Sequence, residues 1–138
     1  DQPNVIIVVI DDLGAFDLGS KDPDFYTPTL DIMSREGVSF DRFYTSPTCT
    51  PSRAQLMTGV YNFRTGMQDS VIHATEPRGV SLDYDLLSTK LQNNGYTTAA
   101  LGKWHLGMYN EDYLPLSRGF DRHYGIYTGG GVRSRMIL

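Results

Sequence analysis

The apolar positions of the chain fall into short clusters, and the longest is an unbroken run of valine and isoleucine at residues 5–10. A continuous β-branched run is typical of a strand buried on both faces of a parallel sheet. Residues 38–44 partly alternate between apolar and polar side chains, and residues 96–101 are rich in threonine and alanine. Each of these two segments follows a glycine that suits a helix end. The pattern predicts strands at residues 4–10, 38–44 and 96–101.

Three further segments carry helix signals. Residues 27–37 have an early proline and a terminal glycine, and residues 51–58 are compatible with a helix. Residues 83–94 place three leucines on one face, namely Leu86, Leu87 and Leu91. Strands that alternate with helices predict an α/β layered fold with a mostly parallel central sheet. In such folds, polar sites gather at the carboxyl ends of the strands.

From residue 102 onward, glycines, tyrosines and charges mix without a period, which predicts surface loops. The chain shows no internal repeat and no linker. We therefore expect residues 1–128 to form one unit, followed by a divergent, poorly ordered tail at residues 129–138.

Composition and charge exclude several classes of protein. The 138 residues are 40% hydrophobic and 20% charged, which fits one globular domain. An apolar run of six residues is far shorter than the roughly 20 that a membrane-spanning helix needs. The net charge of -4 argues against a broad nucleic-acid-binding surface. We expect no membrane span, no nucleic-acid partner and no signal peptide within the given chain.

The single cysteine, Cys49, cannot form an internal disulfide, and in isolation it would be interpreted as a small buried hydrophobe. Its neighbours suggest more, because Pro51 suits the first turn of a helix, where exposed N–H groups favour an anion. Arg53 lies four residues further on, so a helix would place it on the same face as Cys49. The motif fits an anion site, and it equally fits an ordinary cysteine nucleophile.

Two more groups of polar residues follow predicted strands. Asp11 and Asp12 come directly after the first strand, where a hard cation such as calcium would neutralise their repulsion. The alternative is a simple turn. Lys103 and His105 follow the third strand, and residues two apart in extended backbone point the same way. Lysine offers a fixed charge for an anionic ester and histidine moves protons, although a polar loop with Trp104 packed inward would also fit.

Two longer motifs carry a specific resemblance. Residues 49–59 and 95–105, together with Asp11-Asp12-Leu13-Gly14, resemble the sulfatase family of the alkaline-phosphatase-like superfamily. The likeness runs from residue 3 to about residue 128 and implies the N-terminal portion of that layered α/β fold. Within the family, the chain is most similar to the branch of arylsulfatase B, also called N-acetylgalactosamine-4-sulfatase. The segments that carry this likeness are residues 61–67, 102–109 and 118–121.

The resemblance implies a sulfuric ester hydrolase. A formylglycine-generating enzyme would oxidise Cys49 to formylglycine (3-oxoalanine), whose hydrate attacks the sulfur of a sulfated carbohydrate or an aryl sulfate. By the same resemblance Asp11, Asp12 and the modified Cys49 are Ca²⁺ ligands, and Arg53 holds the hydrate in place. Glycosaminoglycan degradation in the lysosome, or secretion, would follow from the family.

The resemblance further implies that Lys103 binds the sulfate and that His105 assists collapse of the hydrate. The family's remaining metal ligands, a second histidine and a second lysine lie beyond this chain, so we expect the 138-residue chain to be inactive alone. Residues 74–79 lack a cysteine pair that close arylsulfatase B relatives carry. Two alternatives stay open: a phosphodiesterase or phosphonate hydrolase of the same superfamily, and a non-catalytic product that binds sulfated glycans.

Overall fold

A computed structural model of the chain describes residues 2–130. The chain divides into two compact units, Asp1–Tyr44 and Thr45–Leu138, and each is described by itself. The predicted tail at residues 129–138 falls almost entirely outside the described residues.

The first unit contains one helix in its described part, α1 (Pro28–Glu36). The proline at its start and Gly37 at its end agree with the prediction for residues 27–37. The hydroxyl of Thr27 donates to Asp31 Oδ1 at 3.0 Å and accepts the N–H of Gly19 at 2.8 Å. These bonds tie the preceding loop to the first turn of α1.

The strands predicted at residues 4–10 and 38–44 are wrong for this structure, because neither segment forms a strand in the described part of the chain. Their side chains are also exposed: Ile6 is 86% and Val38 is 81% accessible. A strand requires a neighbouring backbone to pair with, and β-branched composition alone supplies none.

In the part that the structure describes, the second unit contains three α-helices, α2 (Cys49–Thr58), α3 (Asn62–Thr65) and α4 (Leu87–Asn93), and two short 3-10 helices, Glu111–Tyr113 and Pro115–Arg118. Helix α2 confirms the prediction for residues 51–58 and begins two residues earlier, at Cys49. It ends at Gly59, whose φ of 68° lies in the left-handed region that glycine adopts without strain. Helix α4 begins later than predicted, because Leu86 takes the capping position before its first turn.

Among the described residues of the second unit, the sheet has two parallel strands, β1 (Ala99–Lys103) and β2 (Arg122–Ile126). The pairing continues past β1, since the N–H groups of Trp104 and His105 donate to the carbonyls of Ile126 and Tyr127 at 2.8 and 3.0 Å. The α/β class is confirmed, and the third predicted strand is present but shifted, because β1 covers Ala99–Lys103 instead of residues 96–101. The expectation of loops after residue 102 is wrong for residues 122–126, which form strand β2. The strand was missed because a short, half-exposed strand shows no clear hydrophobic alternation.

The core of the second unit is formed by Ala54 of α2 and by apolar side chains of the connecting segments. Trp104 is held in this core by its indole N–H, which donates to the carbonyls of Gly107 at 3.1 Å and Tyr113 at 2.9 Å. Phe120 meets the indole edge-on, with the ring centroids 6.0 Å apart. The buried apolar side chains are Ala54, Met67, Ile72, Val80, Leu86, Trp104 and Leu106. No helix in residues 2–130 is long and apolar enough to cross a bilayer.

Candidate active site

Cys49 is the first residue of α2, and it is half-buried. The turn before it is held by Ser46, whose carbonyl accepts the hydroxyl of Ser52 at 2.6 Å. The hydroxyl of Ser46 donates to Gln55 Oε1 and accepts from Asn62 Nδ2, both at 2.6 Å. These bonds fix the entry of the chain into α2 and, with it, the position of Cys49.

Lys103 and Arg53 lie beside Cys49. The Nζ of Lys103, the last residue of β1, donates to Cys49 Sγ at 3.0 Å. One turn along α2, Arg53 Nη1 donates to the carbonyl of Lys103 at 2.6 Å. The structure therefore brings Cys49, Arg53 and Lys103 together, and two cationic side chains are located near the helix N-terminus, where anions bind favourably. Their chemical roles stay predictions.

His105 departs from the expected geometry. Its φ of 60° takes the backbone out of the extended conformation, so the two-residue alternation that would align it with Lys103 does not extend to this position. The imidazole is buried, with 4% of the residue accessible, and its Nε2 lies 2.8 Å from the carbonyl of Ile72. A small pocket borders the ring, and its walls include Met108, Tyr127 and Thr128.

Thr50 was not predicted to have any role, yet it connects α2 to His105. Its hydroxyl donates to the carbonyl of His105 at 3.0 Å and accepts the N–H of Ile72 at 3.1 Å. Thr50 is completely buried. No periodicity identifies such a residue, and its position directly after Cys49 is the only signal in the sequence.

Asp11 and Asp12 belong to the first unit and form an exposed turn, in which Asp12 has a φ of 58°. The turn proposed as an alternative for these residues is therefore present. Their carboxylate oxygens are donors of the type that calcium prefers. Within residues 2–130, however, no group of three or more His, Cys, Asp or Glu side chains is arranged to hold a metal ion. The carboxylate oxygens of Asp11 and Asp12 are therefore suitable calcium ligands. Calcium takes about six to eight oxygen ligands, and the two aspartates supply only some of them.

Residues 118–121 directly precede strand β2 and form hydrogen bonds to other segments of the second unit. Arg118 is buried, and its Nη2 donates to the carbonyls of Ser81 at 3.2 Å and Tyr84 at 3.0 Å. Burial lowers the pKa of this guanidinium. Asp121 accepts the N–H of Thr98 at 2.7 Å, and this bond is the largest cause of its lowered pKa. Both side chains therefore connect the segment before β2 to other parts of the second unit.

Comparison with known proteins identifies the class of the molecule. The family model named Sulfatase matches residues 3–131, and the chain belongs to the sulfatase family. Arylsulfatase J of Mus musculus is 45% identical over 130 residues, which cover 94% of this chain and 22% of that protein. N-acetylgalactosamine-6-sulfatase of Mus musculus is 39% identical over 132 residues, with 89% and 25% coverage.

Solved structures agree with this assignment. The crystal structure of Ps i-CgsB superposes with a TM-score of 0.87 at 40% identity, covering 94% of this chain and 29% of that one. The PsFucS1 sulfatase from Pseudoalteromonas sp. superposes with a TM-score of 0.62 at 34% identity, covering 74% and 20%. The chain spans about a quarter of the curated relatives that it matches. It corresponds to the N-terminal portion of the alkaline-phosphatase-like fold.

Proposed function

We propose that the protein carrying this chain hydrolyses sulfate esters, with residue 49 as its nucleophile. The observation that supports this most directly is the contact of 3.0 Å between the ammonium of Lys103 and Cys49 Sγ at the start of α2. The ammonium of Lys103 and the N-terminus of α2 both lie at Cys49. Together they would stabilise an anionic ester and the negative charge that develops during its cleavage.

Cys49 is the proposed target of a formylglycine-generating enzyme. Its place at the start of α2, followed by Pro51 and Arg53, matches the motif in which this modification occurs in the family. Once formed, the hydrated aldehyde would supply the hydroxyl that attacks sulfur and a second hydroxyl for the release of sulfate. The chain's own part is to hold residue 49 and to surround it with positive charge.

Lys103 is proposed to bind a sulfate oxygen, and Arg53 to hold both the nucleophile and Lys103. The bond of 2.6 Å from Arg53 Nη1 to the Lys103 carbonyl restricts the backbone at the base of the lysine side chain. A positioned charge stabilises a transition state more than a mobile one, because no reorganisation is needed during the reaction. His105 is the proposed proton-transfer group, in keeping with the ordinary chemistry of imidazole near neutral pH.

Calcium is the proposed metal, with Asp11, Asp12 and the modified residue 49 among its ligands. When bound, it would neutralise charge on the sulfate. The rest of its ligand shell would come from other parts of the protein, and for this reason we propose that the 138-residue chain alone is inactive. The proposed substrates are sulfated glycosaminoglycan sugars such as N-acetylgalactosamine 4-sulfate, and the proposed location is the lysosome or the cell exterior.

Mass spectrometry of the peptide that contains residue 49, combined with an aryl sulfate assay, tests the proposal. The protein would be expressed through a eukaryotic secretory pathway, with Cys49→Ala as the control variant. We expect formylglycine at residue 49, sulfate release by the wild type, and none by the variant. An unmodified thiol together with no sulfatase activity would refute the proposal.

The same preparation distinguishes the alternatives. Faster turnover of an aryl phosphate diester than of an aryl sulfate would indicate a phosphodiesterase or phosphonate hydrolase. Calorimetric binding of a sulfated oligosaccharide without any turnover would indicate a non-catalytic glycan-binding product. Either outcome would replace the sulfatase proposal.

A further inference from the structure

The backbone of Ile72 is held at both its N–H and its carbonyl by residues of the candidate site. Its N–H donates to Thr50 Oγ1 at 3.1 Å, and its carbonyl lies 2.8 Å from His105 Nε2. The hydroxyl of Thr50 in turn donates to the carbonyl of His105 at 3.0 Å. Three hydrogen bonds thus close a ring through three segments that are distant in sequence: the start of α2, the loop that contains Ile72, and the backbone after β1.

The ring defines the tautomer of His105. A backbone carbonyl only accepts hydrogen bonds, so the Nε2 atom facing Ile72 must carry the proton. In the neutral imidazole the lone pair then lies on Nδ1, and this nitrogen is the one able to take up and return a proton.

Burial makes the ring rigid. Thr50, Ile72 and His105 are 0%, 5% and 4% accessible, so water does not compete for their polar groups. A buried hydrogen bond whose partner is removed leaves a polar group without solvation, which is more costly than the loss of the bond in water. One hydroxyl supplies both a donor and an acceptor to this ring, and it belongs to the residue that follows Cys49.

We propose that Thr50 is a positioning residue for the reaction, which keeps His105 in the tautomer with the proton on Nε2, so that the lone pair needed for proton transfer lies on Nδ1. This inference rests on the proposed function, in which His105 moves a proton near residue 49. Because Thr50 lies beside Cys49 in α2, the nucleophile and the proton-transfer group are placed by one helix.

The variant Thr50→Val tests the inference, because it keeps the branched shape and removes the hydroxyl. We expect kcat for an aryl sulfate to fall by about 10- to 100-fold, which is less than the about 100- to 10,000-fold contribution of general acid–base catalysis because Thr50 acts only through His105. KM should change less than about threefold, since the loss concerns proton transfer and not substrate binding. Thr50→Ser restores the hydroxyl and should recover kcat to within about threefold of the wild type.

Nitrogen-15 spectra of histidine-labelled protein give a readout that does not depend on activity. The chain has three histidines, and His105→Gln assigns the signal of interest. We expect His105 to populate the Nε2-protonated tautomer in the wild type and a mixture of both tautomers in Thr50→Val. An inactive wild type with this tautomer would refute the proposed function and leave the tautomer result standing.

Thr58→Val is the matched control, because Thr58 is a second threonine of α2 whose hydroxyl also donates and accepts, to Ala54 O at 2.6 Å and from Val60 N at 3.1 Å. It should change neither kcat nor the tautomer of His105. A folded Thr50→Val protein with unchanged kcat and one tautomer would overturn the inference. If Thr50→Val does not fold, a wild-type His105 protonated on Nδ1 alone would overturn it equally.

Discussion

The ammonium of Lys103 donates to the sulfur of Cys49 at 3.0 Å, which joins the last residue of β1 to the first residue of α2. The same two elements are connected a second time through the bond of 2.6 Å from Arg53 to the Lys103 carbonyl. Residue 49 therefore lies beside the ammonium of Lys103, and hydrogen bonds hold Lys103 at both its backbone carbonyl and its charged end. This arrangement suits residue 49 both as a thiol and after conversion to the aldehyde hydrate.

Replacing Lys103 by alanine should remove most of the sulfatase activity. The substitution takes away the charge beside Cys49 that is proposed to bind the ester, and the loss of one positioned electrostatic group typically lowers the rate by about 100- to 1,000-fold. We expect kcat/KM for an aryl sulfate to fall within this range, while formylglycine at residue 49 still forms. Steady-state kinetics and mass spectrometry of the same preparation provide the two measurements.

Lys90→Ala is the control for this experiment. Lys90 is an exposed lysine of α4, and its closest acidic partner is Asp85, with 3.8 Å between nitrogen and oxygen. An exposed pair of this kind contributes little, so activity should stay at the wild-type level. Equal activities for the variants of Lys103 and Lys90 would show that Lys103 has no catalytic role.

The part of the site around α2 could be predicted from the sequence because its signals are local. The spacing of Cys49 and Arg53 places them one helical turn apart, and the third predicted strand ends near Lys103. The structure places all three together. These positions could be predicted because each depends on one element and on the end of its neighbour, whereas the chemical roles of the three residues stay predictions.

Other features depend on contacts that local patterns do not encode. The positive φ of His105 follows from its place beyond β1, and an alternation rule assumes an extended backbone there. The β-branched residues at 5–10 resemble a buried strand, but burial requires a neighbouring backbone, which the described residues do not provide. Strand β2 was not predicted because its own residues show no strand pattern, and it is defined by its pairing with β1.

Replacing Arg118 by methionine should destabilise the second unit. The substitution leaves the carbonyls of Ser81 and Tyr84 without their buried donor, at a cost of about 1–3 kcal/mol in the free energy of unfolding. Urea denaturation followed by tryptophan fluorescence measures the change. Arg64→Met is the control, because Arg64 is exposed and its replacement should change stability by less than about 0.5 kcal/mol. Similar midpoints for the two variants would contradict the prediction.

Asp121 should make stability depend on pH in the acid range. Its pKa is lowered in the folded state, first by the N–H of Thr98 and then by the side chain of Gln92. As the pH falls, the unfolded chain therefore binds this proton before the folded chain does. The stabilisation is fully present above the unfolded pKa of about 3.9 and is lost as the pH falls through the lower folded value.

The variant Asp121→Asn removes this titration. We expect it to be less stable than the wild type at neutral pH, with a difference that narrows toward the acid end. Urea midpoints measured at several pH values give the comparison, and Asp69→Asn, at an exposed position of the same unit, serves as the control. A constant difference between wild type and Asp121→Asn at every pH would contradict the assigned cause.

The pairing of β1 with β2 depends on the absence of a side chain at Gly125. Gly102 and Gly125 are partners in the parallel register, and a Cβ atom at Gly125 would collide with the carbonyl oxygen of Gly102. The backbone of Gly125 is not in the left-handed region, so the variant Gly125→Ala tests this collision without added strain in φ. Overpacking of this kind costs about 1–3 kcal/mol in the free energy of unfolding.

Gly130→Ala is the matched control, because a Cβ atom at Gly130 meets no atom within 4 Å and its backbone is likewise outside the left-handed region. It should change stability by less than about 0.5 kcal/mol. Gly125→Ala should also lower sulfatase activity, since Lys103 directly follows Gly102 and would move with the displaced end of β1. Equal stability and equal activity of the two alanine variants would show that the strand register leaves room for a side chain and does not position Lys103.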